Sequence, residues 1–214
     1  FAWRDRIPFA RAGLAELLCF SALFFGSAGL LTWFVTSRDL GDAPRVILWL
    51  IVATLIVIGG LIVWFFRDPD RRIPEGPGVV VSPADGTIDG DARLIEHDEF
   101  LGGPALQIAI FLSIFNVHIN RAPVASRVIG LTYRRGKFLN ALKPESAREN
   151  EQLAIRLQGL QSPHRNMIVR QIAGAIARRI VCWLKPGDDL EAGERVGMIK
   201  LGSRTELVIP HETG

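Results

Sequence analysis

Three short segments hold most of the reactive side chains: "SPADG" with Asp85, "FNVHINRAP" with His118, and "LGSR" with Gly202 and Ser203. An aspartate, a histidine and a serine, met in that order, are the parts of an orienter, a base and a nucleophile. Each has a plainer reading when taken singly. Asp85 before Gly86 is a turn former, His118 a satisfied histidine in an apolar strand, and Gly202-Ser203 a bulge in the run "IKLGSRTELVIP". An ordinary serine hydrolase displays its nucleophile on a sharp G-x-S-x-G elbow, and this chain has none. Its serine instead follows a glycine directly, so the hydroxyl can attack the carbonyl of the residue before it, which the bare Gly202 leaves open. A metallopeptidase would need closely spaced histidines, and "NVHIN" supplies one. Cys19 and Cys182 have neither metal spacing nor a disulfide framework and are expected as small buried hydrophobes. His97, His164 and His211 lie in polar or terminal contexts and are expected to be exposed.

The elements that must position these groups fall in two parts. The uncharged run 17–35 is about 28 Å long as a helix, close to a bilayer's hydrocarbon thickness. A second uncharged run, 46–66, ends in Trp64, Phe65 and Phe66 before Arg67, an interfacial belt with a cationic stop. The short link holds Gly41 and Pro44, which predicts a two-helix transmembrane hairpin as a membrane anchor over residues 1–74. Arg4, Arg6 and Arg11 precede the first run and Arg67, Arg71 and Arg72 follow the second, whereas Arg38 and Arg45 in the link sit beside Asp39 and Asp42. The positive-inside rule therefore puts both ends, and whatever follows, on the cytoplasmic side of an inner membrane.

After "RDPDRRIPEGPG" the chain turns to short β-branched runs broken by Gly and Pro, which predicts a mainly β (α+β) catalytic domain over residues 75–214. "GVVVSPADGTIDG" reads as strand, tight turn and strand. "ALQIAIFLSIFNVHI" reads as one bent strand or two, and "AIRLQG" with "NMIVRQIAG" as a hairpin. "AIARRIVCW" is helix or strand, and "LNALKPESARENEQ" is loop. The turns in "SPADGTI" and "KPGDDLEAGERVGMI" are like those of barrel-sandwich domains, without a lysine at a hairpin tip to carry lipoate. A hydrophobic fraction of 49% suits a real core plus an apolar anchor. The excess of 25 Lys+Arg over 22 Asp+Glu suits an anionic lipid surface and is too small and too scattered for nucleic acid.

The ordered set "SPADGTI", "FLSIFNVHINRAPV", "GKFLNA", "ENE", "QIAGAIARRIV" and "GERVGMIKLGSRTELVIP" resembles phosphatidylserine decarboxylase, in its short bacterial branch and the related archaetidylserine decarboxylases. The resemblance covers roughly residues 75 to 210 and implies a self-processing enzyme. It implies that Ser203, deprotonated by His118 with Asp85 orienting the ring, attacks the Gly202 carbonyl and splits the chain into a β chain, 1–202, and an α chain, 203–214. It also implies that Ser203 becomes a pyruvoyl group, the only cofactor, with no metal, serving as the electron sink for decarboxylation. The implied partners are a phospholipid substrate in the membrane and the two chains of one precursor, with a homodimer as a further expected assembly. Phe115 is expected in an apolar wall for lipid or, preferably, in the core. Asn116, Tyr133 and Lys137 are expected as substrate contacts, and Arg121, Arg134 and Arg135 at phosphodiester or headgroups. The competing reading is a non-enzymatic, membrane-anchored β-sandwich adaptor, which would need a coiled coil that no heptad run here provides.

Overall fold

The computed structural model describes residues 8–141, 143, 145–161, 165–175, 179–200 and 203–211, in two units, Phe1–Pro69 and Asp70–Gly214. The first unit is a helical hairpin. Helix α1 runs Leu14–Ser37 and α2 Asp42–Phe65, each a few residues longer at its N-terminus than the uncharged run that predicts it. Helix α2 takes in Asp42, whose charge suits a helix N-terminus. Leu17, Ala28 and Val35 of α1 and Val52, Gly59 and Phe65 of α2 are buried between the helices. At Gly59 a Cβ would fall 2.8 Å from the Phe25 ring, so any larger residue would push that ring aside.

The hairpin ends are stitched together. Ala10 N donates to Phe66 O and Asp68 N to Pro8 O, both at 2.8 Å, and the Arg67 guanidinium lies 4.2 Å over the Trp64 ring. Outside their shared seam the helices expose Leu18, Leu30, Trp33, Val46, Ile47 and Leu50. Both are long and apolar enough to cross a membrane. Cys19, expected as a buried hydrophobe, is exposed on this outer surface, because only one narrow face of α1 meets α2.

The second unit is mainly β, in two layers. Its strands are β1 Thr87–Ile88, β2 Arg93–Asp98, β3 Gly103–Leu112, β4 Ile119–Arg121, β5 Ser126–Arg134, β6 Gln152–Gly159, β7 Asn166–Ile172, β8 Ile180–Cys182, β9 Asp189–Leu190, β10 Arg195–Ile199 and β11 Ser203–Pro210. The larger sheet has the order β1-β3-β11-β7-β6-β5-β9, with β2 also pairing β3, and the smaller has the order β4-β10-β8. The named pairings are antiparallel, and the larger sheet stays open rather than closing into a barrel. Val128, Leu153, Ile155, Leu157, Val169 and Leu207 of the larger sheet pack against Ala122, Leu184 and Val196 to form the core between the layers. The other face of the larger sheet is covered near Ala105, Ile168 and Val208 by Ile95, Phe100 and Leu101 of the β2–β3 hairpin.

Several expectations meet the structure here. "AIRLQG" and "NMIVRQIAG" form the β6–β7 hairpin, and the long apolar run divides into β3 and β4. The valine run 79–81 is not a strand. Val81 N donates to Pro123 O at 2.9 Å, but Pro123 has no N–H to return, so the ladder stops. The polar stretch read as loop holds a one-turn helix, α3, Ser146–Glu149.

Candidate active site

Ser203 opens β11, opposite Leu112 at the end of β3. It is fully buried, and its Oγ has no hydrogen-bond partner among the described residues. Gly202 lies outside them. His118, also fully buried, stands just before β4, and Ile199 N at the end of β10 donates to its carbonyl at 3.2 Å. Residues 113–118 lead from β3, in the larger sheet, to β4, in the smaller. Leu112 pairs with Ser203 on one layer, and the His118 carbonyl bonds Ile199 N on the other.

A buried polar brace fixes this corner. Asn120 Nδ2 donates to Thr205 Oγ1 at 2.8 Å and to Pro83 O at 3.3 Å, and Gln171 Nε2 donates to Asn120 Oδ1 at 2.8 Å. Asn120 follows His118 by two residues and Thr205 follows Ser203 by two, so in extended chain each brace residue shares a face with its reactive neighbour. The "SPADG" turn joins the same corner, since Pro83 O also accepts from Arg121 N at 2.9 Å. Gly86 lets the turn lie against β3: a Cβ there would fall 2.3 Å from Phe111 O, a backbone atom that cannot yield. Thr87 then pairs with Phe111, which places Asp85 at the edge where Ser203 begins. Asn120, Thr205 and Gln171 escaped the sequence reading. Their only signal was the two-residue spacing from His118 and Ser203.

The orientation of His118 differs from the expectation. Its Nδ1, the nitrogen a triad carboxylate would hold, donates to the Asn116 carbonyl at 2.9 Å. In a neutral imidazole that bond makes Nε2 the acceptor nitrogen. The Asp85 carboxylate is ion-paired to Arg71, with both side chains partly open to water. On the opposite face of β11, Arg204 pairs with Asp89, and Arg170 Nη1 donates to Glu206 Oε2 at 2.7 Å.

The expected substrate contacts are dispersed. Phe115 is not core: it is 59% exposed on the turn before His118. Asn116 Oδ1 accepts from Ser113 N and Oγ, bracing that turn. Tyr133 aligns with Thr205 through Leu153 and Gln171, three strand spacings or about 14 Å away. Its phenol is bonded to Glu151, which raises its pKa. Lys137 Nζ donates to Glu149 at 2.7 Å, and that bond holds its ammonium above the usual range. Arg121 Nη1 donates to Gly193 O at 3.0 Å, and Arg134 donates to Arg148 O. His97 is exposed, His211 half-buried, and His164 lies outside the described residues.

A buried serine hydroxyl with no described partner thus opens β11, and a buried histidine stands just before β4. The chain thus joins a two-layer antiparallel unit to a preceding pair of apolar helices. The family model described as phosphatidylserine decarboxylase matches residues 58–214. The chain is 44% identical over 212 residues to the phosphatidylserine decarboxylase proenzyme of Rhodopirellula baltica, covering 99% of this chain and 82% of the relative. The proenzyme of Desulfotalea psychrophila is 38% identical over 98% of this chain and 89% of its own length, and that of Carboxydothermus hydrogenoformans 49% identical over 71% and 70%. The chain belongs to the phosphatidylserine decarboxylase family, a family of enzymes, and the adaptor reading falls away.

Proposed function

We propose that this protein decarboxylates phosphatidylserine to phosphatidylethanolamine and CO2, after cutting itself between Gly202 and Ser203. The observation that carries the reading is the fully buried Ser203 Oγ, unpartnered among the described residues, at the corner that also holds His118. A buried hydroxyl left without a hydrogen bond costs about 1–3 kcal/mol, a cost retained where the group must react. His118 Nε2 takes the hydroxyl proton, with the ring held through Nδ1 by the Asn116 carbonyl. Ser203 Oγ then attacks the Gly202 carbonyl carbon, the C–N bond breaks, and the amide becomes an ester with a free Ser203 amine. Loss of the Ser203 Cα proton expels the Gly202 carboxylate, and water replaces the resulting enamine nitrogen as ammonia. What remains at position 203 is a pyruvoyl group on the short chain.

The corner fits such a group. Position 203 begins a strand and is fully enclosed, and its only polar side-chain atom is the one consumed. A pyruvoyl carbonyl supplies an electron sink for the electron pair left by departing CO2. In this reading His118 Nε2 then returns a proton to the carbon that lost the carboxylate. Asp85, ion-paired to Arg71, stands at the edge where β11 begins, from which its carboxylate is proposed to assist His118. The substrate is a membrane lipid, a reading supported by the apolar hairpin, and the arginine distribution favours a catalytic unit on the cytoplasmic side.

Intact mass under denaturing conditions tests this directly. The expected result is two chains split between residues 202 and 203, the short one blocked to Edman degradation and reactive towards a carbonyl probe. Ser203→Ala should remain one chain and release no CO2 from phosphatidylserine. Cleavage or CO2 release by that variant overturns the proposal.

A further inference from the structure

The crossing segment that leads from β3 to His118 has a composition at odds with its position. Asn116 N donates to Ser113 O at 3.0 Å, closing a β-turn with Ile114 and Phe115 at its two corners. Asn116 Oδ1 accepts from Ser113 N at 2.9 Å and Ser113 Oγ at 2.7 Å, and Phe115 N donates to Ser113 Oγ at 3.3 Å. Turn corners facing water favour Gly, Pro, Asn, Asp and Ser. This turn instead presents Ile114 at 43% and Phe115 at 59% exposure, and its four hydrogen bonds prevent the tip from folding inward.

The tip is rigidly joined to the reactive corner. Asn116, which closes the turn, also accepts the His118 Nδ1 hydrogen bond through its carbonyl. On the other side of His118, the chain after Ile199 is cationic: Lys200 N donates to the carbonyl of the exposed Arg179 at 3.2 Å. An apolar tip on a segment whose far end, at His118, bonds the residue before Lys200 suits an anionic bilayer, with the apolar side chains in the headgroup–acyl boundary and the cations at phosphates. The chain itself carries two helices able to cross a membrane, which keeps the catalytic unit tethered close to such a surface.

We infer that the Ile114–Phe115 turn inserts into the interface of an anionic bilayer and thereby presents the His118–Ser203 corner to lipid headgroups. This rests on the proposed phospholipid substrate, but its first test does not need activity. In full-length protein carrying Cys19→Ser and Cys182→Ser, an environment-sensitive fluorophore on Phe115→Cys is read in vesicles of phosphatidylserine and phosphatidylcholine. The same label on Glu99→Cys, in the turn at the opposite end of β3, is the control. Lipids with spin labels high on the acyl chain should quench the label at 115 and spare that at 99. A label at 115 that stays in water overturns the inference. So does one shielded equally in detergent at high protein concentration, which would assign the tip to a second copy of the chain.

Kinetics gives the independent arm. Ile114→Ser should lower the ratio of activity on vesicles to activity on short-chain, water-soluble phosphatidylserine about tenfold, the scale set by withdrawing one large apolar side chain from lipid. Phe115→Trp, which keeps an interfacial aromatic, should preserve the ratio. An unchanged ratio in Ile114→Ser overturns the inference. Absence of wild-type activity on both vesicles and soluble substrate would sink the functional proposal while leaving the fluorescence result to stand alone.

Discussion

The two halves of β11 do opposite work from the same depth. All residues from Ser203 to Val208 are buried. On the face towards the smaller sheet, Leu207 sits among Ile155, Val169 and Val196 in a wholly apolar core. Two residues earlier on that face Thr205 is held by Asn120, and two earlier again Ser203 Oγ has no described partner. One strand thus passes from packing that lowers the free energy to polar burial that raises it, in steps of about 7 Å. The lesson is that the Ser203 corner is supported from below. The apolar half stabilises β11, and the Asn120 brace transmits that rigidity to a serine whose own environment opposes folding.

The sharpest way to break this comparison is to truncate each half. Ser203→Ala should abolish chain cleavage and CO2 release while leaving the melting temperature equal or higher, because an unpartnered buried hydroxyl is removed. Intact mass and calorimetry on one sample would show both effects, and a clear loss of stability would contradict the idea that Ser203 is kept for reaction. Leu207→Ala should do the reverse. It should cost about 2–5 kcal/mol by the transfer and cavity terms, yet the folded fraction should still split between 202 and 203.

The brace lies between these extremes. Asn120→Ala leaves Thr205 Oγ1 and Gln171 Nε2 buried without their partner, so stability should fall by about 1–3 kcal/mol and cleavage should slow, as read by denaturant melts and timed mass spectra. Unchanged cleavage would show that Ser203 does not depend on the brace. The smallest effect belongs to the far rim of the sheet, where Asp189 bridges to Arg127 at 2.7 Å in open water. The hydrogen bond from Arg127 lowers the Asp189 pKa from its usual 3.8. The folded state therefore binds fewer protons, and the pair's contribution, present above that value, is lost as pH falls through the lowered pKa. Asp189→Asn should shift the melt only slightly near neutrality and not at all in strong acid, and a large shift would mean that rim contacts rival the core.

Much of this was legible from local pattern. The uncharged runs predicted α1 and α2 because a span is a contiguous property of composition, and the β6–β7 hairpin followed from two apolar runs about a polar loop. The ordered Asp-His-Ser segments predicted a family that the comparisons bear out. The misses share a cause. Nothing local shows that Pro123 would face Val81 and end a ladder there. Phe115 looked like core because "AIFLSIF" also holds the buried Ile110 and Leu112, whereas a turn closed by Ser113 and Asn116 turns it outward.

By itself, then, the sequence determined the inventory: two apolar helices, a mainly β unit, and a glycine-serine pair with one histidine and one aspartate ahead of it. Each of these depends on residue type and short-range spacing. Only the tertiary structure decided that Leu112 meets Ser203 while His118 meets Ile199, that the Asn116 carbonyl takes the imidazole Nδ1, and that Arg71 takes Asp85. These pairings join residues far apart along the chain. Their register is set by how two sheets bury their shared core, and no local periodicity encodes that.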